Sequence, residues 1–170
     1  MLVGLTLLAL AGCSKPVPVA VVVPPALVGH IYPTLVQMPP PSSKRVKITS
    51  TQQETYQQAF NLIGLKSALM IGAFSCGQKS QYDTFMTAFQ PHILAEQHVM
   101  DSYFHRFARS GGQSREDAFE TILANNQSAN ARSQGAFFCL NNSAEFKAVL
   151  ALPTPQALDN FVTDQAPPVP

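Results

Sequence analysis

Leu62-Ile63-Gly64-Leu65-Lys66-Ser67-Ala68-Leu69-Met70-Ile71-Gly72-Ala73-Phe74 is the stretch whose reading decides the fold. It is apolar around nearly its whole circumference, yet the run is only 13 residues long and Lys66 interrupts it. A helix that crosses a bilayer needs about 20 apolar residues, so this length reads as a helix buried in a protein core. Upstream, Thr51-Gln52-Gln53-Glu54 has the spacing of a capping box, and no proline follows until Pro91. A first helix is therefore expected from about residue 52 to 74, closed by Cys76-Gly77. Gly64, Ala68 and Gly72 recur every four residues and place small side chains on one face. Such a stripe lets another backbone approach closely, within the domain or across a homodimer seam.

Working outward, Ser80 and Asp83 signal the start of a second helix over about 81 to 108. Met86, Phe89, Ile93, Met100, Phe104 and Phe107 fall on one stripe of it at 100° per residue. Pro91 lies inside that stripe, and because the apolar face continues through it, one kinked helix is expected rather than two. The first two helices then form an antiparallel hairpin with Cys76 at its corner. Gly111-Gly112 makes a turn, and Ser114-Arg115-Glu116-Asp117 opens a third helix. Short helices are expected from Ser143 to Leu150 and after Thr154-Pro155, the latter with Leu158, Phe161 and Val162 facing inward. No strand-length alternation accompanies them. The class is all-α, a bundle of about four to five helices spanning residues 49–166, with 167–170 as a frayed tail.

Two polar features stand out. The third helix begins with Phe119, Ile122 and Leu123, but Asn126, Asn130 and Ser133 then occupy the same stripe before Phe137 resumes it. Buried amides must be hydrogen-bonded, so these three residues mark either a satisfied network, an exposed surface or the wall of a ligand groove. The second feature is His98, Asp101 and His105 at i, i+3 and i+7, the weak candidate set for a metal, with His92 elsewhere on the circumference. The three project away from the apolar stripe and lack HExxH spacing, which favours a solvated flank. No metal or other cofactor is expected.

The N-terminal third has a different character. Eight prolines between Ser14 and Ile48 break any helical period, so residues 13–48 read as a tether of polyproline-like geometry, reaching at most about 110 Å. It is richer in apolar residues than a spacer should be. Val19-Ala20-Val21-Val22-Val23 either adds as a strand to a partner's sheet edge or lies, with the rest of the spacer, against its own domain or a lipid surface.

Before the tether, the apolar run Leu5-Thr6-Leu7-Leu8-Ala9 closes on Leu10-Ala11-Gly12-Cys13. The run is too short to span a bilayer, and small residues precede the cysteine as a cleavage site requires. This stretch resembles the lipobox of bacterial lipoproteins, although no Lys or Arg precedes Cys13. The resemblance covers residues 1–13 alone. It implies that residues 1–12 are a signal peptide and that Cys13 becomes the acylated first residue of the mature chain. It also implies attachment to the bacterial cell envelope, with Ser14 compatible with an outer membrane, facing the periplasm. Two or more acyl chains anchor stably where one does not, so the lipid would be the only membrane contact required.

With Cys13 assigned to lipid, Cys76 and Cys139 remain as a pair in an exported chain, where disulfides persist. A structural bridge is expected, closing a loop of a little over 60 residues and contributing about 4 kcal/mol. A redox pair or metal thiolates would call for CxxC spacing or clustered histidines, which are missing. Lys15, Lys44, Arg45 and Lys47 precede residue 49 with no acidic residue among them, whereas all ten Asp and Glu follow it. Four dispersed cations are too few for a nucleic-acid footprint. No nucleophile elbow, P-loop, dinucleotide fingerprint or zincin motif occurs. The leading expectation is a non-enzymatic module that binds or scaffolds an envelope protein. The alternatives are a small-ligand or glycan carrier using Asn126, Asn130 and Ser133, and a metal-dependent enzyme on His98, Asp101 and His105. The sequence leaves the oligomeric state open.

Overall fold

The computed structural model describes residues 36–42, 47–107 and 111–164, and the lipobox, Cys13, Val19–Val23 and the C-terminal tail lie outside them. Five helices and no strand occur among the described residues: α1 Ser50–Cys76, α2 Lys79–Phe107, α3 Gly112–Gln134, α4 Ala136–Leu150 and α5 Pro155–Asp164. The expected all-α class is the one observed.

α1 is the axis of the bundle. Its cap lies two residues before the expected one: the Gln52 amide donates to Thr49 Oγ1 and the Thr49 amide to Gln52 Oε1, each at 3.2 Å. The same capping spacing occurs twice in succession here, and the earlier copy adds helical residues at its N-terminus. At the other end Gly77 adopts φ 68°, a left-handed conformation that glycine takes without cost, and its N–H closes onto the Ala73 carbonyl. From Ala59 to Leu65 every residue of α1 is buried, and Leu69 and Ala73 extend the core further along it. Among the described residues, α1 is the one helix long and apolar enough to cross a membrane, but most of its apolar window is covered by the bundle. It contacts each of the other four helices.

α2 returns antiparallel to α1 as a single helix through Pro91. The inward stripe is Phe85, Phe89, Ile93, Met100, Tyr103, Phe104 and Phe107, with Met86 packed at its edge. Where the start of α1 meets the end of α2, Phe60 stands edge-on to Tyr103, Phe104 and Phe119, with ring centroids 5.0 to 5.7 Å apart. Tyr56 does the same to Tyr103 and Phe107. Edge-to-face pairs add about 0.5–1.5 kcal/mol each beyond their buried area, which makes this the best-tied end of the hairpin.

Part of the stretch read as tether belongs to the packed unit. Val36 is buried in the core, and Gln57 on α1 holds the strap on both sides, accepting from the Met38 amide at 3.2 Å and donating to the Val36 carbonyl at 2.7 Å. Tyr103 donates its hydroxyl to the Pro39 carbonyl, and the Ser42 amide donates to the Phe107 carbonyl at 3.2 Å. The apolar residues that are excessive for a spacer serve, at Val36 and Met38, as lining against the chain's own bundle.

Three boundaries differ from the sequence reading. α3 begins at Gly112 after a left-handed Gly111, without the side-chain cap expected of Ser114. α4 begins at Ala136, not Ser143, because Gly135 at φ 56°, ψ −128° breaks the helical path after Gln134 and restarts it at once. Cys139 therefore stands near the start of α4 instead of beyond the end of α3. α5 follows the Thr154-Pro155 signal, its first turn bonded by the Ala157 amide to Thr154 Oγ1 at 3.1 Å, with Leu158 and Val162 buried.

Cys76 and Cys139 are bonded, with Cα atoms 5.4 Å apart, tying the corner of the α1–α2 hairpin to α4. The small-residue stripe also serves internal packing. Gly64 offers its carbonyl to Gln127 of α3, and Gly72 leaves the space that the Asn142 carboxamide of α4 occupies.

Two stability effects are expected. Replacing both Cys76 and Cys139 by Ala lowers unfolding free energy by about 4 kcal/mol in denaturant titration, since the bridge closes a long loop in the unfolded chain. Gly72→Ala puts a methyl into the Asn142 carboxamide and costs about 1–3 kcal/mol. In the Asn142→Ala background most of that cost disappears, and additive losses in the double mutant would contradict the contact.

Candidate functional site

The sequence-derived site residues are not drawn together. Asn126 and Ser133 are exposed, and Asn130 is half-buried, accepting from Gln134 Nε2 at 2.9 Å. The inward face of α3 is instead Glu116, Leu123 and Gln127. This corrects the expectation that Asn126, Asn130 and Ser133 face inward. The cause is Gln127, whose amide is satisfied inside the core: its Oε1 accepts from Ser67 Oγ at 2.5 Å and its Nε2 donates to the Gly64 carbonyl at 3.0 Å. A polar residue whose bonds are all met can hold an inward position, and that rotates Ile122 out to solvent.

His98, Asp101 and His105 do not gather either. His98 lies in solvent with Nδ1 3.3 Å from Asp101 Oδ2, and His105 is also exposed. Asp101 turns toward a different group on α2 and α3, where Gln97 Nε2 reaches Asp101, Glu116 and Glu120 at 3.5, 3.3 and 3.1 Å. Burial first, then a hydrogen bond and the negative charge of Asp101, raises the Glu116 carboxyl well above its ordinary range. Burial pushes Asp101 upward too, but hydrogen bonds from Glu116, Gln97 and His98 outweigh it and hold Asp101 low. Glu116 is nearly inaccessible, whereas the Asp101 side chain beside it is partly exposed.

The residues that the fold does gather are His92 and Glu96, one turn apart on α2, and Asp159 on α5. His92 Nε2 lies 2.6 Å from Asp159 Oδ1, and ligand atoms of all three fall within 4.8 Å of one another. Burial raises the Glu96 carboxyl; His92 opposes the shift and Asp159 adds to it. The sequence alone could not find this cluster, because Asp159 is 67 residues from His92 and lies in a separate helix.

Three of the five exposed large apolar side chains among the described residues lie within two positions of the bridged cysteines. Phe74 of α1, two residues before Cys76, is 73% exposed. Phe137 and Leu140 of α4, flanking Cys139, are 49% and 59% exposed. A chain of amides runs from Asn130 through Gln134 to Asn141, the last step at 3.3 Å, and links α3 to α4 close in sequence to Cys139.

Comparison of the chain with models of protein families, with curated proteins and with solved structures finds no significant match in any of the three.

Glu145 of α4 is, with Glu116 and Asp159, one of three buried acids among the described residues; it is 6% exposed, and burial alone pushes its carboxyl up to about 7. Its sequence signal is the pattern Asn142, Glu145, Phe146, Val149, which puts a carboxyl on the helix's inward stripe. Because the folded value lies above the ordinary 4.5, the uncharged acid costs nothing below pH 4.5. Stability is then lost as pH rises from there through 7. Glu145→Gln is expected to raise stability at pH 8 by about 2–3 kcal/mol and to flatten the dependence between pH 4.5 and 7. Denaturant titrations at pH 5 and pH 8 read both effects, and an unchanged pH slope in the variant would contradict them.

Proposed function

We propose that this chain is a lipid-anchored lipoprotein of the bacterial cell envelope whose helical bundle is a non-enzymatic docking module. The observation that supports the docking role is the exposure of Phe74, Phe137 and Leu140, three large apolar side chains within two residues of the Cys76–Cys139 bridge. In a protein–protein contact large apolar side chains such as these supply area, and polar groups such as the Asn130, Gln134 and Asn141 amides supply orientation. The disulfide fixes α1 and α4 in one relative position, so the surface is formed in advance and little order is lost when a partner binds. That rigidity suits an oxidising compartment, where the bridge persists.

The anchoring part of the proposal rests on the lipobox-like Leu10-Ala11-Gly12-Cys13. With residues 36–42 packed on the bundle, the spacer available between Cys13 and the domain is residues 14–35, with a reach of at most about 70 Å when extended. The partner class is an envelope protein within that distance of the membrane.

Photocrosslinking from positions 74 and 137 in intact bacterial cells is expected to give a discrete protein adduct that Leu140→Glu abolishes while the bundle's helicity is retained. Cys13→Ser is expected to move the chain from the membrane fraction to the soluble fraction. Crosslinks only to lipid, or an adduct indifferent to Leu140→Glu, would overturn the docking role. Membrane retention of the Cys13→Ser chain would overturn the anchor.

A further inference from the structure

The geometry points to a divalent transition-metal site formed by His92, Glu96 and Asp159, which would clamp α5 to α2. His92 and Glu96 are four residues apart on one face of α2, and Asp159 comes from the C-terminal helix, so the set joins two separate elements. Asp159 is buried, and His92 and Glu96 are half-buried. Among the described residues neither carboxylate has a Lys or Arg within ion-pair distance, and the histidine is the only charge-compensating neighbour recorded for Asp159. Two carboxylates and a neutral imidazole carry a charge of about −2, the complement of a divalent ion.

The donor set discriminates among cations. Imidazole suits zinc, iron, copper and nickel, whereas magnesium and calcium take oxygen ligands, so one nitrogen and two oxygens favour a transition ion. Zinc binds such atoms at about 2.0–2.2 Å, which places two ligands of one ion at most about 4.4 Å apart. The observed atoms lie within 4.8 Å of one another, so the set needs only slight tightening around an ion. The His92–Asp159 contact at 2.6 Å must widen a little as the ion enters between them. Both movements lie within the reach of side-chain torsions. Three protein ligands leave at least one coordination position for water or for a group brought by a partner.

α5 gives such a clamp a purpose. It packs on α1 through Leu158 and Val162, and Asn61 of α1 donates to the Val162 carbonyl at 3.4 Å, but its recorded polar tie to α2 is the His92–Asp159 pair. An ion shared by both helices replaces one bidirectional contact with three bonds to a common centre.

The test uses the purified full chain, stripped with chelator and titrated with zinc chloride by calorimetry, with melting followed in parallel. One ion per chain is expected, with a rise in Tm of at least roughly 5 °C at an ion concentration a hundredfold above Kd. Glu96→Gln and Asp159→Asn should each weaken uptake at least about tenfold, and Glu96→Gln, at a half-buried position, decides the matter if Asp159→Asn fails to fold. His98→Ala combined with His105→Ala should leave uptake intact. Absence of stoichiometric uptake, uptake unchanged by Glu96→Gln, or uptake lost with His98 and His105 would each overturn the site.

Discussion

The structure depends on covering α1. A helix apolar on nearly every side has no stable position in water until other elements surround it, and its central residues from Ala59 to Leu65 are covered without a gap. Four helices and the 36–42 strap supply that cover. The arrangement explains why the chain needs five helices of unequal length instead of a symmetric bundle. α2 takes one long side, α3, α4 and α5 divide the others, and the strap closes the aromatic end through Val36, Pro39 and Ser42. The disulfide then fixes α4 to the one corner where α1 has already ended.

Covering α1 also governs where polar groups can enter the core. Ser67 and the Gly64 carbonyl are taken by Gln127, and Asn61 is shared between Gln57 and the end of α5. The bonds to Gln127 and to the Val162 carbonyl tie α1 to α3 and α5, so these polar atoms act as registration points on an otherwise featureless apolar surface. The acids follow a different rule. Burial first and Asp101 second raise the Glu116 carboxyl, while burial alone raises Glu145, which weakens the fold once it ionises. These acids sit on the buried faces of α3 and α4.

The core helix, the hairpin and the cysteine pair were legible because each rests on local chemistry. Thirteen residues of apolar run, a Gly after Cys76 and an even cysteine count after Cys13 is set aside need no knowledge of distant parts of the chain. The stripe of α3 that carries Asn126, Asn130 and Ser133 is not the buried one, because Gln127 is held inside by two partners on α1 that no spacing within α3 reveals. Gly135 gives little local warning for a related reason: a single residue at φ 56° suffices to end one helix and begin the next, without the polar cluster that normally advertises a turn. The His92, Glu96 and Asp159 cluster is a property of how α5 lies on the hairpin, and no spacing within either segment carries it.

The strap sets where mechanical load enters the domain. Residues 36–42 do not run straight into the first turn of α1; they first cross to the far end of α2, where Ser42 bonds the Phe107 carbonyl and accepts from Arg115 of α3. A pull on the N-terminal side of the chain is thus borne by Val36 in the core, by the two bonds of Gln57 and by the Tyr103 hydroxyl, before it reaches the Thr49 cap. Those contacts act together on a short length, so the strap resists as a shear joint, and the capping box of the central helix is shielded from tension. A domain built this way keeps its axis intact when the chain before the strap is pulled.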